Sequence, residues 1–157
     1  MAPRPCGLAP LQHAIEAIIY LRRIANPWAR TLVSIIERIA EFNGPDTVTI
    51  YGIGKPKTIR LPEEVVSWLQ GSKAAIRVLE ELIGHYRFRR RLSHPGAIRS
   101  LILLLYSRYH RIAPYKIARR YGIAPEQLYR LERGLKTDNL YDLVINILSL
   151  EADQKQK

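Results

Sequence analysis

The side chains of this 157-residue chain that could grip a polyanion are gathered in one stretch. Residues 84–136 hold thirteen Lys and Arg against two Asp and Glu, a net charge of +11 that equals the net charge of the whole chain. Residues 1–83 carry ten basic and eight acidic side chains, and residues 137–157 carry two and four. The densest run is Arg87, Arg89, Arg90 and Arg91, with no carboxylate among them. Guanidinium forks pair with phosphate oxygens, and a focused basic surface is the electrostatic footprint of a nucleic-acid binder. A basic surface that serves only solubility has no need to be concentrated in this way.

The same stretch carries a pattern that would present side chains to a DNA groove. Ile117, Ala118 and Tyr121 make an apolar stripe on one short helix. Gly122 can take the positive φ that a tight interhelical turn needs, and Pro125 suits the first turn of the next helix. Leu128 and Leu131, three apart, turn that second helix back onto the first. Its outer face is then left with Glu126, Gln127, Tyr129, Arg130 and Arg133, with Lys116 exposed on the helix before it. Gln and Arg are the side chains that read base edges in the major groove.

This segment resembles the helix-turn-helix of the Cro/repressor (XRE-type) family over about residues 97–150. The resemblance rests on Ala118, Gly122, the run Leu131-Glu132-Arg133-Gly134 and a following helix with Leu140, Leu143 and Leu148. It departs from the family at Pro114, where many members carry a Gln that touches the DNA backbone. The resemblance implies duplex DNA as partner and the helix opened by Pro125 as the reading helix.

A second copy is legible when residues 62–82 are laid on residues 114–134. Val65, Val66, Leu69, Ile76 and Leu79 then meet Ile117, Ala118, Tyr121, Leu128 and Leu131, apolar in both. The outer face of this middle copy would be Ser72, Lys73, Ala74 and Arg77. Helices are also expected over 8–24 and 27–42, with Asn43-Gly44-Pro45 as a stop, and from Ser72 to about Leu92. Between the helices the period changes. Thr47–Tyr51 and Thr58–Leu61 alternate and are β-branched, which predicts a hairpin at 47–61 with Lys55 and Lys57 near its tip. The fold expected is mainly α: tandem helix-turn-helix modules with one small β-hairpin insertion. An N-terminal helical segment covers 1–28, a middle module 29–92, a C-terminal module 93–150 and a frayed tail 151–157. Ser93-His94-Pro95-Gly96 reads as the linker. Helices follow at 97–110, 114–121, 125–133 and 138–150.

This layout resembles the crenarchaeal CRISPR repeat-binding proteins, which carry tandem helix-turn-helix modules in chains of this size. That resemblance implies binding of repeat DNA and modulation of array transcription. Alternatives are a general archaeal or viral transcription regulator, and a helical interaction module whose apolar helix 97–110 docks a protein partner. The strand and helix at Lys57–Glu64 also look like the opening of a ribbon-helix-helix repressor, although the helix to Gly71 is short for one.

Nothing in the chain suggests catalysis. His13, His85, His94 and His110 have no cysteine or carboxylate at ligand spacing, and Glu63-Glu64 and Glu80-Glu81 are accounted for as solvated helix faces. No enzyme, metal or cofactor is expected. Cys6 is the only cysteine, no apolar run approaches the ~18–20 residues of a membrane span, and MAPRPCGLAP lacks the apolar run of a signal peptide. A cytoplasmic, nucleoid-associated monomer or homodimer is the expectation. The single Cys and Met beside many Arg and Ile suit a thermophile.

Overall fold

The computed structural model describes residues 39–155. The helix read at 8–24, and the part of the one read at 27–42 that precedes residue 39, lie outside the described residues. Three strands come first: β1 (Ala40–Gly44), β2 (Thr47–Ile50) and β3 (Lys57–Arg60), antiparallel in the order β1-β2-β3. The hairpin expected at 47–61 is β2 with β3, paired from Thr47 opposite Arg60 to Ile50 opposite Lys57. The helix expected to run to Phe42 does not. Ala40–Gly44 is instead the third strand, with Phe42 opposite Val48. A short apolar spacing fits either period, and strand pairing decides it. A two-stranded hairpin is marginal in water, so β1 supplies support the hairpin needs.

Beyond the sheet the described chain is helical. We number the helices α1 (Glu63–Gly71), α2 (Lys73–Gly84), α3 (Pro95–Tyr109), α4 (Pro114–Arg120), α5 (Pro125–Thr137) and α6 (Tyr141–Lys155). A 3-10 turn, Phe88–Leu92, joins α2 to α3. The elements from Ala40 onward form one unit around α3, which touches β3, α1, the 3-10 turn, α4, α5 and α6. Ile98 and every residue from Leu101 to Leu105 are buried. Its apolar run is covered by these neighbours, while Arg99, Tyr106 and Arg108 stay half-buried.

Four boundaries differ from the sequence reading. Pro95 and Gly96 open α3 rather than forming a linker, since a proline's fixed φ and missing N–H fit a first helical turn. α2 stops at Gly84 instead of reaching Leu92, and His85 Nδ1 accepts from the Phe88 N–H at 3.2 Å to start the 3-10 turn. α5 runs through Gly134 to Thr137. The tail is not frayed as far as Lys155: Ala152 is buried, and Glu151 accepts from Ser72 Oγ at 2.6 Å and from the Ala74 N–H at 3.3 Å.

The same device ends α3, α4 and α5. After each helix one residue takes positive φ: Arg111 (56°), Gly122 (68°) and Asn139 (57°). The next N–H then reaches back five positions: Ile112 to Ser107 at 2.8 Å, Ile123 to Ala118 at 2.9 Å, Leu140 to Leu135 at 2.8 Å. These are Schellman closures, each followed by an apolar residue that returns to the core. They set the angles at which α4, α5 and α6 leave their predecessors.

Candidate nucleic-acid interface

The C-terminal helix pair has the geometry its sequence implies. α4 and α5 are joined by Tyr121–Ala124, with Gly122 in the left-handed region. Ala118 is fully buried at the crossing, and Ile117, Leu128 and Leu131 pack beneath it. The turn is fastened to α1, since Tyr121 Oη donates to Glu64 Oε1 at 2.7 Å. Burial first, then this bond, pushes the Tyr121 phenol up to about 12, while the same bond lowers the Glu64 carboxyl.

On α5, Gln127 and Arg130 are exposed and Tyr129 is half-buried. Glu126 and Arg133 are also exposed but engage each other, Arg133 Nη2 to Glu126 Oε1 at 2.6 Å. That hydrogen bond, and next the charge of Arg133, hold the Glu126 carboxyl below its ordinary value. The glutamate of the Leu131–Gly134 run faces inward. Glu132 is buried and pairs with Arg108 of α3 at 2.6 Å, tying α5 to the core.

The arginine run is held out on the 3-10 turn rather than on a helix end. Phe88 and Leu92 are fully buried and anchor it, which leaves Arg89, Arg90 and Arg91 exposed between them. Arg87 lies over the Tyr86 ring at 5.7 Å. Arg91 reaches across α5 to Asp138, 3.7 Å away, passing directly over Gly134. The run and the outer face of α5 are therefore one surface, and Arg91 and Arg130 line one cleft on it.

The middle pair differs from its expected copy. α1 and α2 are separated by Ser72 alone, in an extended conformation, and Gly71 lies inside α1 without positive φ. Of the outer face expected there, Ser72 and Ala74 are buried, because the start of α2 is capped by Glu151 from α6. Lys73 and Arg77 are exposed, but they line a separate recess with Gln70 and Glu80. The structure does not gather them with the α5 set. The hairpin tip is also altered, for Lys57 Nζ donates to the carbonyls of Ile53 (2.8 Å) and Lys55 (3.3 Å) and braces the loop.

Several basic residues of 84–136 serve internally. Arg99 Nε donates to the Arg60 carbonyl at 3.0 Å, and Arg108 and Arg111 pair with Glu132 and Asp153. Arg89, Arg90, Lys116, Arg119, Arg120 and Arg130 are exposed and form no ion pair among the described residues. Arg119 and Arg120 were absent from the expected site. Their signal was the dibasic pair one turn before Gly122, on the face that the Ile117–Ala118 stripe leaves outside. Among the described residues no three His, Cys, Asp or Glu side chains are grouped to hold a metal, and no helix is long and apolar enough to cross a membrane. Comparison with protein-family models, with characterised proteins and with solved structures finds no match to this chain.

Proposed function

We propose that this protein binds double-stranded DNA through its C-terminal helix-turn-helix, with α5 in the major groove and the 3-10 arginines on the flanking backbone. The observation that carries this reading is the free outer face of α5. Gln127 and Arg130 stand exposed on it, Arg89, Arg90, Arg119 and Arg120 are exposed on the 3-10 turn and at the end of α4, and none of these arginines forms an ion pair within 4.0 Å among the described residues. Gln and Arg are suited to adenine and guanine edges, and the other arginines to phosphates. The direct test is duplex binding as a function of salt. With six or more phosphates neutralised, the log–log slope is about −5 or steeper. Changing Arg89, Arg90 and Arg91 together to Ala weakens all sequences alike and lowers the slope by roughly three, whereas Arg130→Ala costs about 1–3 kcal/mol at one base pair. A flat salt response removes the reading.

The narrower form of the proposal is control of transcription at a repeated element such as a CRISPR repeat, which the tandem layout suggests. It requires α2 to read DNA as well. Arg77 is the residue on which that depends, and footprinting is the test. Protection confined to about 5 bp and unchanged by Arg77→Ala leaves α5 as the sole reader, since successive major-groove faces recur every ~10 bp.

A further inference from the structure

Behind the outer face of α5 lies a cleft of about 440 Å³ between the start of α3, α5 and the 3-10 turn. We propose that it is a phosphate-binding site. Its polar lining is Arg91, His94, Gln127 and Arg130, with Ser100 at its floor and Leu131 as an apolar wall. No carboxylate lines it. Asp138, 3.7 Å from Arg91 Nε, is not among the lining residues.

The orientation of the donors supports this. Ser100 is buried, and its Oγ donates to Gln127 Oε1 at 3.2 Å. The Gln127 carbonyl is thereby occupied, and its NH₂ group has no hydrogen-bond acceptor among the described residues. Arg91 is held by Gly134, whose missing side chain leaves the groove in which the arginine stem lies. Arg130 has no ion-pair partner among the described residues. Two permanent cations and an amide donor converge on one recess, and a tetrahedral anion with several acceptor oxygens satisfies all of them. The volume falls in the range of small-ligand pockets, so there is room for an esterified phosphate as well as a free ion.

The phosphate has two possible sources. One is a backbone phosphodiester of duplex DNA, which rests on the DNA-binding reading given above but moves Gln127 and Arg130 from base edges to the backbone. The other is a free phosphate monoester of mononucleotide size, which would compete with DNA for Gln127 and Arg130. The test is heteronuclear NMR on the full chain, following the Gln127 side-chain amide and the backbone amides of residues 96–100. The chain is titrated separately with inorganic phosphate, with a deoxynucleoside 5′-monophosphate and with a duplex of about 20 bp. Arg130→Gln is the variant, and Lys55→Gln, an exposed cation of the hairpin loop, is the control. The expected result is a saturable shift at Gln127 that weakens about tenfold or more in Arg130→Gln and is unchanged in Lys55→Gln. Saturation by duplex without competition from the mononucleotide assigns the backbone as source, and mononucleotide displacing duplex assigns the free ester. A chain that binds no duplex yet keeps the Arg130-dependent phosphate shift retains the cleft and loses the DNA reading. Duplex binding with no change at Gln127, or equal weakening by the two variants, overturns the cleft.

Discussion

Gly134→Ala is expected to destabilise this protein, although alanine is the better helix former. Gly134 is buried inside α5, and Arg91 lies across it. A Cβ there would stand 2.7 Å from Arg91 Nε, 2.8 Å from Cδ and 3.0 Å from Cζ. Such contacts are comfortable only near 3.5–4.0 Å, so the arginine has to lift by roughly 1 Å. Lifting takes it away from Asp138, whose side chain is only 6% exposed and already 3.7 Å from Nε. Two effects oppose each other. Replacing glycine inside a helix gains about 1 kcal/mol. Leaving a buried carboxylate without its cation costs about 1–3 kcal/mol, to which lost packing of the arginine stem adds. The loss wins, by about 1 kcal/mol. The sharper expectation is a change of sign. In an Arg91→Ala background nothing occupies the groove, and Gly134→Ala should then stabilise by about 1 kcal/mol. Urea unfolding of the four proteins, followed by far-ultraviolet circular dichroism, gives the coupling, expected near 2 kcal/mol. Stabilisation by the same amount in both backgrounds, within about 0.5 kcal/mol, would refute the seating of Arg91 on Gly134 and weaken its place in the cleft.

Other substitutions probe the supports of the same surface. Gly122→Ala meets no atom within 4 Å, so its cost is backbone strain alone at φ 68°, about 1–2 kcal/mol by chemical denaturation, with Gly122→Asn costing less. Arg108→Ala strands the buried Glu132 and should cost about 3 kcal/mol. Glu132→Ala leaves Arg108, which is 30% exposed, in reach of water and should cost about 1–2 kcal/mol, and equal losses would contradict that asymmetry. Glu151 gives a pH signature. Burial opposes its ionisation, but the Ser72 hydroxyl, the neighbouring Tyr109 hydroxyl, the Ala74 N–H and Lys155 outweigh it, so its folded pKa lies below the ordinary 4.5. Its stabilisation is complete above 4.5 and is lost as pH falls through the lower folded value, whereas Glu151→Gln should flatten that part of the stability curve.

The C-terminal helix pair and its turn were legible because their determinants are local. Gly122, Pro125 and the Ile117–Ala118 stripe each fix backbone or packing within a few residues. The β1 strand was not legible, because Ala40–Gly44 becomes a strand only by pairing with β2, and pairing partners leave no mark in a local period. The middle copy misled for a related reason. An apolar match between residues 62–82 and 114–134 records which faces are buried in each helix pair. It says nothing of a third element, and Glu151, 79 positions after Ser72, covers what would have been the reading end of α2. Gly134 misled in the opposite direction. A glycine after Glu-Arg resembles a helix stop, yet α5 continues past it, since its lack of a side chain serves Arg91 from another part of the chain.

The same distinction explains how net charge bears on function here. Thirteen basic residues in 84–136 set the expectation, but a charge count does not separate the arginines that build the fold from those that face solvent. Arg99, Arg108 and Arg111 are consumed by a strand carbonyl and two carboxylates, and each fastens α3 or the residue just past it to a neighbour. Arg133 is neutralised by Glu126 on α5 itself. What remains is smaller and better placed. Arg89 and Arg90 stand on a turn pinned by Phe88 and Leu92, Arg119 and Arg120 end α4, and Arg130 projects from α5. Rigid apolar anchors beside unpaired cations lower the ordering cost when a phosphate binds, because the backbone carrying the charge is already fixed. An unstructured basic tail has no such advantage. The proposed nucleic-acid partner is therefore favoured less by the +11 than by the few exposed cations that the fold positions and leaves outside its ion pairs.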